Sequence, residues 1–176
     1  KGFKIFEETE VQEVAPGKVK ANGHIVTTEK IIVTMGNPSS LFPELEPLIH
    51  PKISYVLAAR YKSLEITPIS NDLFWDTGDP YFYYRLINPQ TLILGGCDID
   101  FDKTNQQKPY EILQNFIKER LNAEHEITHQ WSGSIFHTSD GLPYAFEHPH
   151  YKEKIYIAMG FGGNGLVMGT MSGRTA

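Results

Sequence analysis

Residues 155–166 read Ile-Tyr-Ile-Ala-Met-Gly-Phe-Gly-Gly-Asn-Gly-Leu, and no other stretch limits the fold of this chain so tightly. Gly160, Gly162 and Gly165 reproduce the G-x-G-x-x-G spacing directly after an apolar run that predicts a strand. Leu166 to Thr170 can then open a helix. Such a turn lets backbone N–H groups at a helix N-terminus approach an anionic or electron-rich ligand with no side chain in between. The same glycines also suit a tight structural turn, and the residues alone leave both readings open. A complete dinucleotide-binding unit would continue into another strand, with an acidic residue about 20 positions on. Only residues 166–176 follow, so that context is absent.

Composition narrows the class. A net charge of −5 argues against a nucleic-acid surface, which carries a basic excess. No run approaches the roughly 18 apolar residues of a membrane helix, so no membrane partner is expected. The single cysteine, Cys97, excludes an internal disulfide framework and a cysteine-rich zinc site. A soluble, cytoplasmic globular protein is the expectation. The chain opens on Lys1-Gly2-Phe3 with no signal-peptide pattern and stops at Thr175-Ala176, which leads us to expect a fragment of a longer protein.

Strand signals dominate the chain. Ile5, Val11 and Val14 suit a strand within residues 3–14, and Asn22-Gly23 between two short apolar runs predicts a hairpin, because both central residues must take positive φ. Ile31 to Thr34 reads as a buried strand ending at Met35-Gly36. Pro43, Pro47 and Pro51 make 41–52 a loop or connector. Further strands are expected at 55–61, at 91–94 closed by Gly95-Gly96, at 125–134 and at 155–159, and the stretch 74–85 is crowded with aromatics. One amphipathic helix is expected from Pro109 to Leu121, with Leu113, Phe116, Ile117 and Leu121 on one face. Strands outnumber helices without alternating with them. The expected class is therefore α+β, with a mixed, mostly antiparallel sheet and helices on one face.

The run Trp131-Ser-Gly-Ser-Ile-Phe-His-Thr138-Ser-Asp140-Gly-Leu-Pro143, followed after a spacer by the strand and glycine turn, resembles the D-amino-acid oxidase family. More narrowly, it is similar to the FAD-dependent glycine and sarcosine oxidase-like members. Their pattern here is W-x-G, then T-x-D-x-x-P, then a strand entering a glycine turn. Thr9-Glu10-Val11, the Asn-Gly hairpin, Ile31 to Gly36, and Phe82-Tyr-Tyr-Arg85 with Leu92-Ile-Leu-Gly-Gly96 agree in order along nearly the whole chain.

The resemblance implies that 1–40 and 151–176 belong to an FAD-binding domain and 41–150 to a substrate domain. The N-terminal unit that binds the ADP half of FAD would be the partner missing from this sequence. Phe161, Gly162, Gly163, Asn164, Gly165, Leu166 and Val167 would line the flavin, with N–H groups of 163–166 near its pyrimidine edge. Val11 would approach FAD through its backbone, and Gly36 would permit close passage of the chain. Tyr81, Tyr83, Tyr84 and Trp131 would cage an amine, with Tyr84 or Arg85 bonding a polar end of the substrate, although plain sheet packing accounts for the same aromatics. His137 would face the flavin as a base or as a polar filler. The resemblance implies no particular catalytic side chain. Substrates would be amines or amino acids, oxidised at the C–N bond by hydride transfer to flavin.

Two departures bear on this. Ile135 stands where amino-acid oxidases of the family carry a carboxylate-clamping arginine. Either Arg85 or Arg60 takes that role or the substrate lacks an α-carboxylate. Gly133 stands where sarcosine oxidases carry the flavin-linked cysteine, so FAD is expected to bind noncovalently. His148-Pro149-His150 lies in a proline-broken loop with no matching ligand pair, and no metal site is expected. The rival to the enzyme reading is a non-catalytic α+β domain that binds a ligand or partner.

Overall fold

The computed structural model describes residues 2–38, 40–62, 72–103, 108–121 and 124–175. The class is α+β, as the strand-rich pattern predicts. Three short strands, β1 (Val11–Ala15), β2 (Lys18–Ala21) and β3 (His24–Thr27), form an antiparallel sheet. Its hairpin turns at Asn22 (φ 46°) and Gly23 (φ 80°). Residues 3–10 join no strand, against expectation. The Asn22 amide secures that segment instead, donating to Glu8 O at 2.9 Å and accepting from Glu10 N–H at 3.0 Å.

β4 (Ile31–Val33) runs parallel to β11 (Ile155–Met159), which pairs antiparallel with β10 (Tyr144–Glu147). The proline-rich connector is more ordered than its sequence suggests. Pro43–Leu48 forms a 3₁₀ helix with a proline in its first turn, where a missing N–H costs nothing. β5 (His50–Tyr61) starts well before Tyr55, and Pro51 precedes Lys52, the first residue in register with β8.

β5 lies in a five-stranded sheet of order β6-β7-β8-β5-β9, with β6 at Phe74–Trp75, β7 at Phe82–Asn88, β8 at Thr91–Asp100 and β9 at His125–His137. Gly95-Gly96 does not close β8. Tyr55 pairs with Gly96 while Ile53 pairs with Ile99, so β8 carries one extra residue, and Gly96 (φ 133°) and Cys97 (φ 56°) form the bulge. A second 3₁₀ turn, Phe101–Lys103, leads on towards α1 (Pro109–Leu121), which has the bounds its periodicity predicts. α2 covers Gly165–Thr175.

The chain divides into two compact units, residues 1–50 with 136–176, and residues 51–135. In the first, Ile155, Ile157 and Met159 of β11 pack with Ile31, Val33, Phe42, Leu45 and Ile49. In the second, Leu113 and Ile117 of α1 are fully buried against Leu57, Ala59, Leu92 and Leu94. Burying each such leucine or isoleucine is worth about 1.5–3 kcal/mol, so the apolar side of the sheet is fixed by α1. Among the described residues, no helix is long and apolar enough to cross a membrane.

Candidate functional site

In the first unit, β11 leads into the glycine turn and α2 leaves it. Gly160 (φ 74°) and Gly162 (φ 53°) both sit in the left-handed region, which a side chain would strain. Gly162 N–H donates to Phe136 O at 2.9 Å and Asn164 N–H to Phe161 O at 3.1 Å. Met168 N–H donates to Asn164 O at 3.0 Å and closes the first turn of α2. The N–H groups of Gly165, Leu166 and Val167 therefore have no acceptor within the helix. Leu166 is 92% exposed and Val167 60%, and no atom lies within 4 Å of a Cβ built on Gly165. The first turn holds no acidic side chain. The result is an open helix N-terminus with an uncharged, apolar rim.

Three consecutive residues hold this turn and the end of β4 in place. A Cβ on Gly36 would fall 2.5 Å from the Phe136 ring, one on Gly162 would fall 3.1 Å from the His137 ring, and one on Gly160 would fall 2.3 Å from Thr138 Cγ2. Each glycine thus yields its side-chain space to a neighbour from 136–138. Thr138 is itself locked, its hydroxyl donating to Leu142 O at 2.7 Å, while Asp140 Oδ1 accepts from Leu142 N–H at 3.0 Å. Asp140 bonds a backbone N–H as its residue type suggests, whereas Thr138 bonds a carbonyl.

In the second unit, alternation sorts the aromatic stretch. Phe82, Tyr84 and Leu86 face α1, and Tyr84 stacks on Phe74 with centroids 5.2 Å apart. Tyr83 and Arg85 consequently point to the opposite face, Tyr83 lying across Gly95. Tyr84 and Arg85 are not brought together. Trp131 lies in this unit on β9 and is 45% exposed, while His137 ends the same strand in the first unit. Val11, 39% exposed, begins β1.

His148 is fully buried. His150 N–H donates to its Nδ1 at 3.3 Å, so Nε2 carries the proton and donates to Glu44 Oε1 at 2.9 Å. Both ring nitrogens are engaged. Glu44 is held below the usual carboxylate range by its own backbone hydrogen bond first and by His148 after it.

The profile of the FAD dependent oxidoreductase family (DAO) matches residues 1–176. The chain belongs to that family. Its fold is similar to that of glycine oxidase from Geobacillus kaustophilus, with a TM-score of 0.74 and 20% identity over 96% of this chain and 47% of that one. Glycine oxidase from Bacillus cereus gives a TM-score of 0.74 and 21% identity over 97% and 49%, and L-proline dehydrogenase from P. horikoshii 0.74 and 19% over 94% and 47%. The chain spans about half the length of these structures. No curated protein sequence matches it.

The FAD family implies a flavin, and the turn fits one. The glycine-rich loop, the first-turn N–H groups without an acceptor in the helix and the exposed apolar pair Leu166 and Val167 form a surface suited to a flat, electron-rich ring edge. Gly36 and Gly162 have packing reasons to be glycine besides any ligand. The bracing role of Phe136 was not legible in the sequence. An aromatic residue beside a T-x-D run carries no signal that a distant glycine lies under its ring.

Proposed function

We propose that the full-length protein is an FAD-dependent oxidoreductase that oxidises the C–N bond of an amine or amino acid, with FAD bound noncovalently. The single observation carrying this reading is the open N-terminus of α2, braced on its glycine turn by residues 136–138 in a chain of the FAD family. The neighbours named glycine oxidase, L-proline dehydrogenase and iminodiacetate oxidase support an amine or amino-acid substrate.

The first unit would belong to the FAD-binding domain, with Phe161 to Val167, Gly36 and Val11 along the cofactor. Bound flavin supplies the chemistry by accepting a hydride equivalent from the carbon next to nitrogen. The chain supplies electrostatics. N–H groups at the start of α2 favour negative charge and are already fixed before any ligand arrives. His137 would serve as a positioning residue, because its ring fills the space beside Gly162. The second unit would take the substrate on the sheet face opposite α1, where Tyr83 and Arg85 project. Tyr84 would shape that face only from behind.

The absorption spectrum of the purified full-length protein, before and after acid precipitation, tests this. A flavin spectrum that moves to the supernatant supports noncovalent FAD. Flavin in the pellet would refute the noncovalent part alone. A colourless protein that also refuses added FAD would overturn the oxidoreductase reading in favour of a non-catalytic binding domain.

A further inference from the structure

Two Asn-Gly pairs occur in the chain, at 22–23 and at 164–165. In water such a pair is chemically labile. The backbone nitrogen of the glycine attacks the side-chain carbonyl carbon of the asparagine, and with no Cβ on the glycine nothing obstructs the approach. The fold treats the two pairs in opposite ways. At the β2–β3 turn the Asn22 side chain is engaged at both ends, its Nδ2 donating to Glu8 O at 2.9 Å and its Oδ1 accepting from Glu10 N–H at 3.0 Å. Gly23 N–H donates to Gln12 Oε1 at 3.1 Å. Both reacting groups are held by other residues, and reaction there must wait for those bonds to open.

At the glycine turn nothing holds the second pair. Asn164 is exposed, and its side chain makes no hydrogen bond among the described residues. Gly165 is exposed too, no atom lies within 4 Å of a Cβ built on it, and its N–H has no acceptor inside α2. The position adds to the lability. As the first residue of α2, Gly165 carries its N–H at the positive end of the helix, where loss of the proton is favoured. Negative charge that builds on the Asn164 side-chain oxygen during attack is stabilised by the same field.

We propose that Asn164 is a modification site, deamidated without an enzyme, and that the conversion turns the open end of α2 into one that rejects flavin. In the first step a bond forms between Gly165 N and Asn164 Cγ, the Cγ–Nδ2 bond breaks, and ammonia leaves with the proton from Gly165 N. Water then opens the cyclic imide at either carbonyl and leaves an aspartate or an isoaspartate at position 164. No electrons are exchanged. The new carboxylate suits α2, because an acidic side chain at a helix start is stabilising. It also sets a negative charge beside the N–H groups that fit an electron-rich ring edge. The modification itself needs no flavin, while its consequence rests on the oxidoreductase reading of this turn.

The test is incubation of the full-length protein, freed of flavin, at mildly alkaline pH, with peptide mass mapping that separates asparagine, aspartate and isoaspartate at both positions. In the folded protein, position 164 is expected to convert at least about 10-fold faster than position 22, the margin that the hydrogen bonds around Asn22 and Gly23 supply. In urea the two rates are expected to converge. Gly165→Ala, which meets open space, is expected to slow conversion at 164 several-fold and to leave position 22 unchanged. Equal rates at the two positions in the folded protein would overturn the proposal. So would an intact Asn164 in the folded protein after the urea-treated sample has fully converted. Asn164→Asp is expected to retain several-fold less flavin than wild type, with thermal stability unchanged or raised. Full retention by that variant would overturn the flavin consequence. A wild type that binds no flavin at all fails the oxidoreductase reading, and the two conversion rates still decide the modification.

Discussion

The methyl group of Thr138 occupies the place where a side chain on Gly160 would begin, 2.3 Å from the Cβ position. Gly160 also holds φ 74°. Gly160→Ala therefore meets both a strained backbone and a filled space, and about 2–4 kcal/mol of stability should be lost. Thermal denaturation measures this. Thr138→Ser, which removes the methyl and keeps the hydroxyl bonded to Leu142 O, should be far milder by itself and should recover part of the Gly160→Ala loss when the two are combined; no recovery would show that the methyl is not what fills that space.

Gly36 offers a cleaner test of space alone, because its φ lies outside the left-handed region. A Cβ there meets the Phe136 ring, so Gly36→Ala should cost about 1–3 kcal/mol. Adding Phe136→Leu should recover part of that cost, with a favourable coupling of at least about 0.5 kcal/mol in a double-mutant cycle. Strictly additive losses would mean that the two residues do not share one space.

Leu166 is 92% exposed in the first turn of α2, so replacing it removes no packing. Leu166→Glu should leave thermal stability unchanged or raise it by about 0.3–1 kcal/mol, since a carboxylate suits a helix N-terminus. The same charge should repel the electron-rich edge of a flavin. Flavin retained per protein, read from the visible-to-ultraviolet absorbance ratio, should fall several-fold. Full retention would remove the α2 N-terminus from the flavin site.

Tyr61 is 1% exposed, and its hydroxyl has no hydrogen-bond partner among the described residues. Burial pushes its phenol up to about 12 from an ordinary value of 10.0. A raised value means that the folded state favours the protonated form. This contribution is complete below pH 10 and is lost as pH rises towards 12. Tyr61→Phe should therefore flatten the alkaline limb of a pH-denaturation curve. At neutral pH it should be neutral or stabilising by about 1 kcal/mol, because it removes an unpaired buried hydroxyl. A loss of stability at neutral pH would show that the hydroxyl has a partner after all.

Local signals carried a good part of this fold. The α1 stripe of Leu113 and Ile117 fixed a helix because burial at that spacing needs no other element to define it. Asn22-Gly23 fixed a hairpin because few other residue pairs tolerate two positive φ values. Gly95-Gly96 misled for the same local reason. Glycines end strands or bulge them, and only the pairing of Tyr55 with Gly96 and Ile53 with Ile99 shows which. The proline-rich 41–52 segment also looked unstructured locally, although its first two prolines sit in a 3₁₀ helix and the third lies at the start of β5.

By itself, the sequence determined the class, the position of the glycine turn and the helix that follows it, since these depend on periodicity and on φ values open chiefly to glycine. The family likeness was legible for a similar reason, as an ordered set of short motifs. Tertiary structure alone decided which side each residue faces. It put Tyr84 behind the sheet and Tyr83 in front, turned Asp98 out through one extra residue in β8, and brought Phe136, His137 and Thr138 against three glycines far off in sequence. Strand alternation gives parity but not sign. The sign is set when one face is buried by a helix from elsewhere in the chain, and no local pattern encodes that choice.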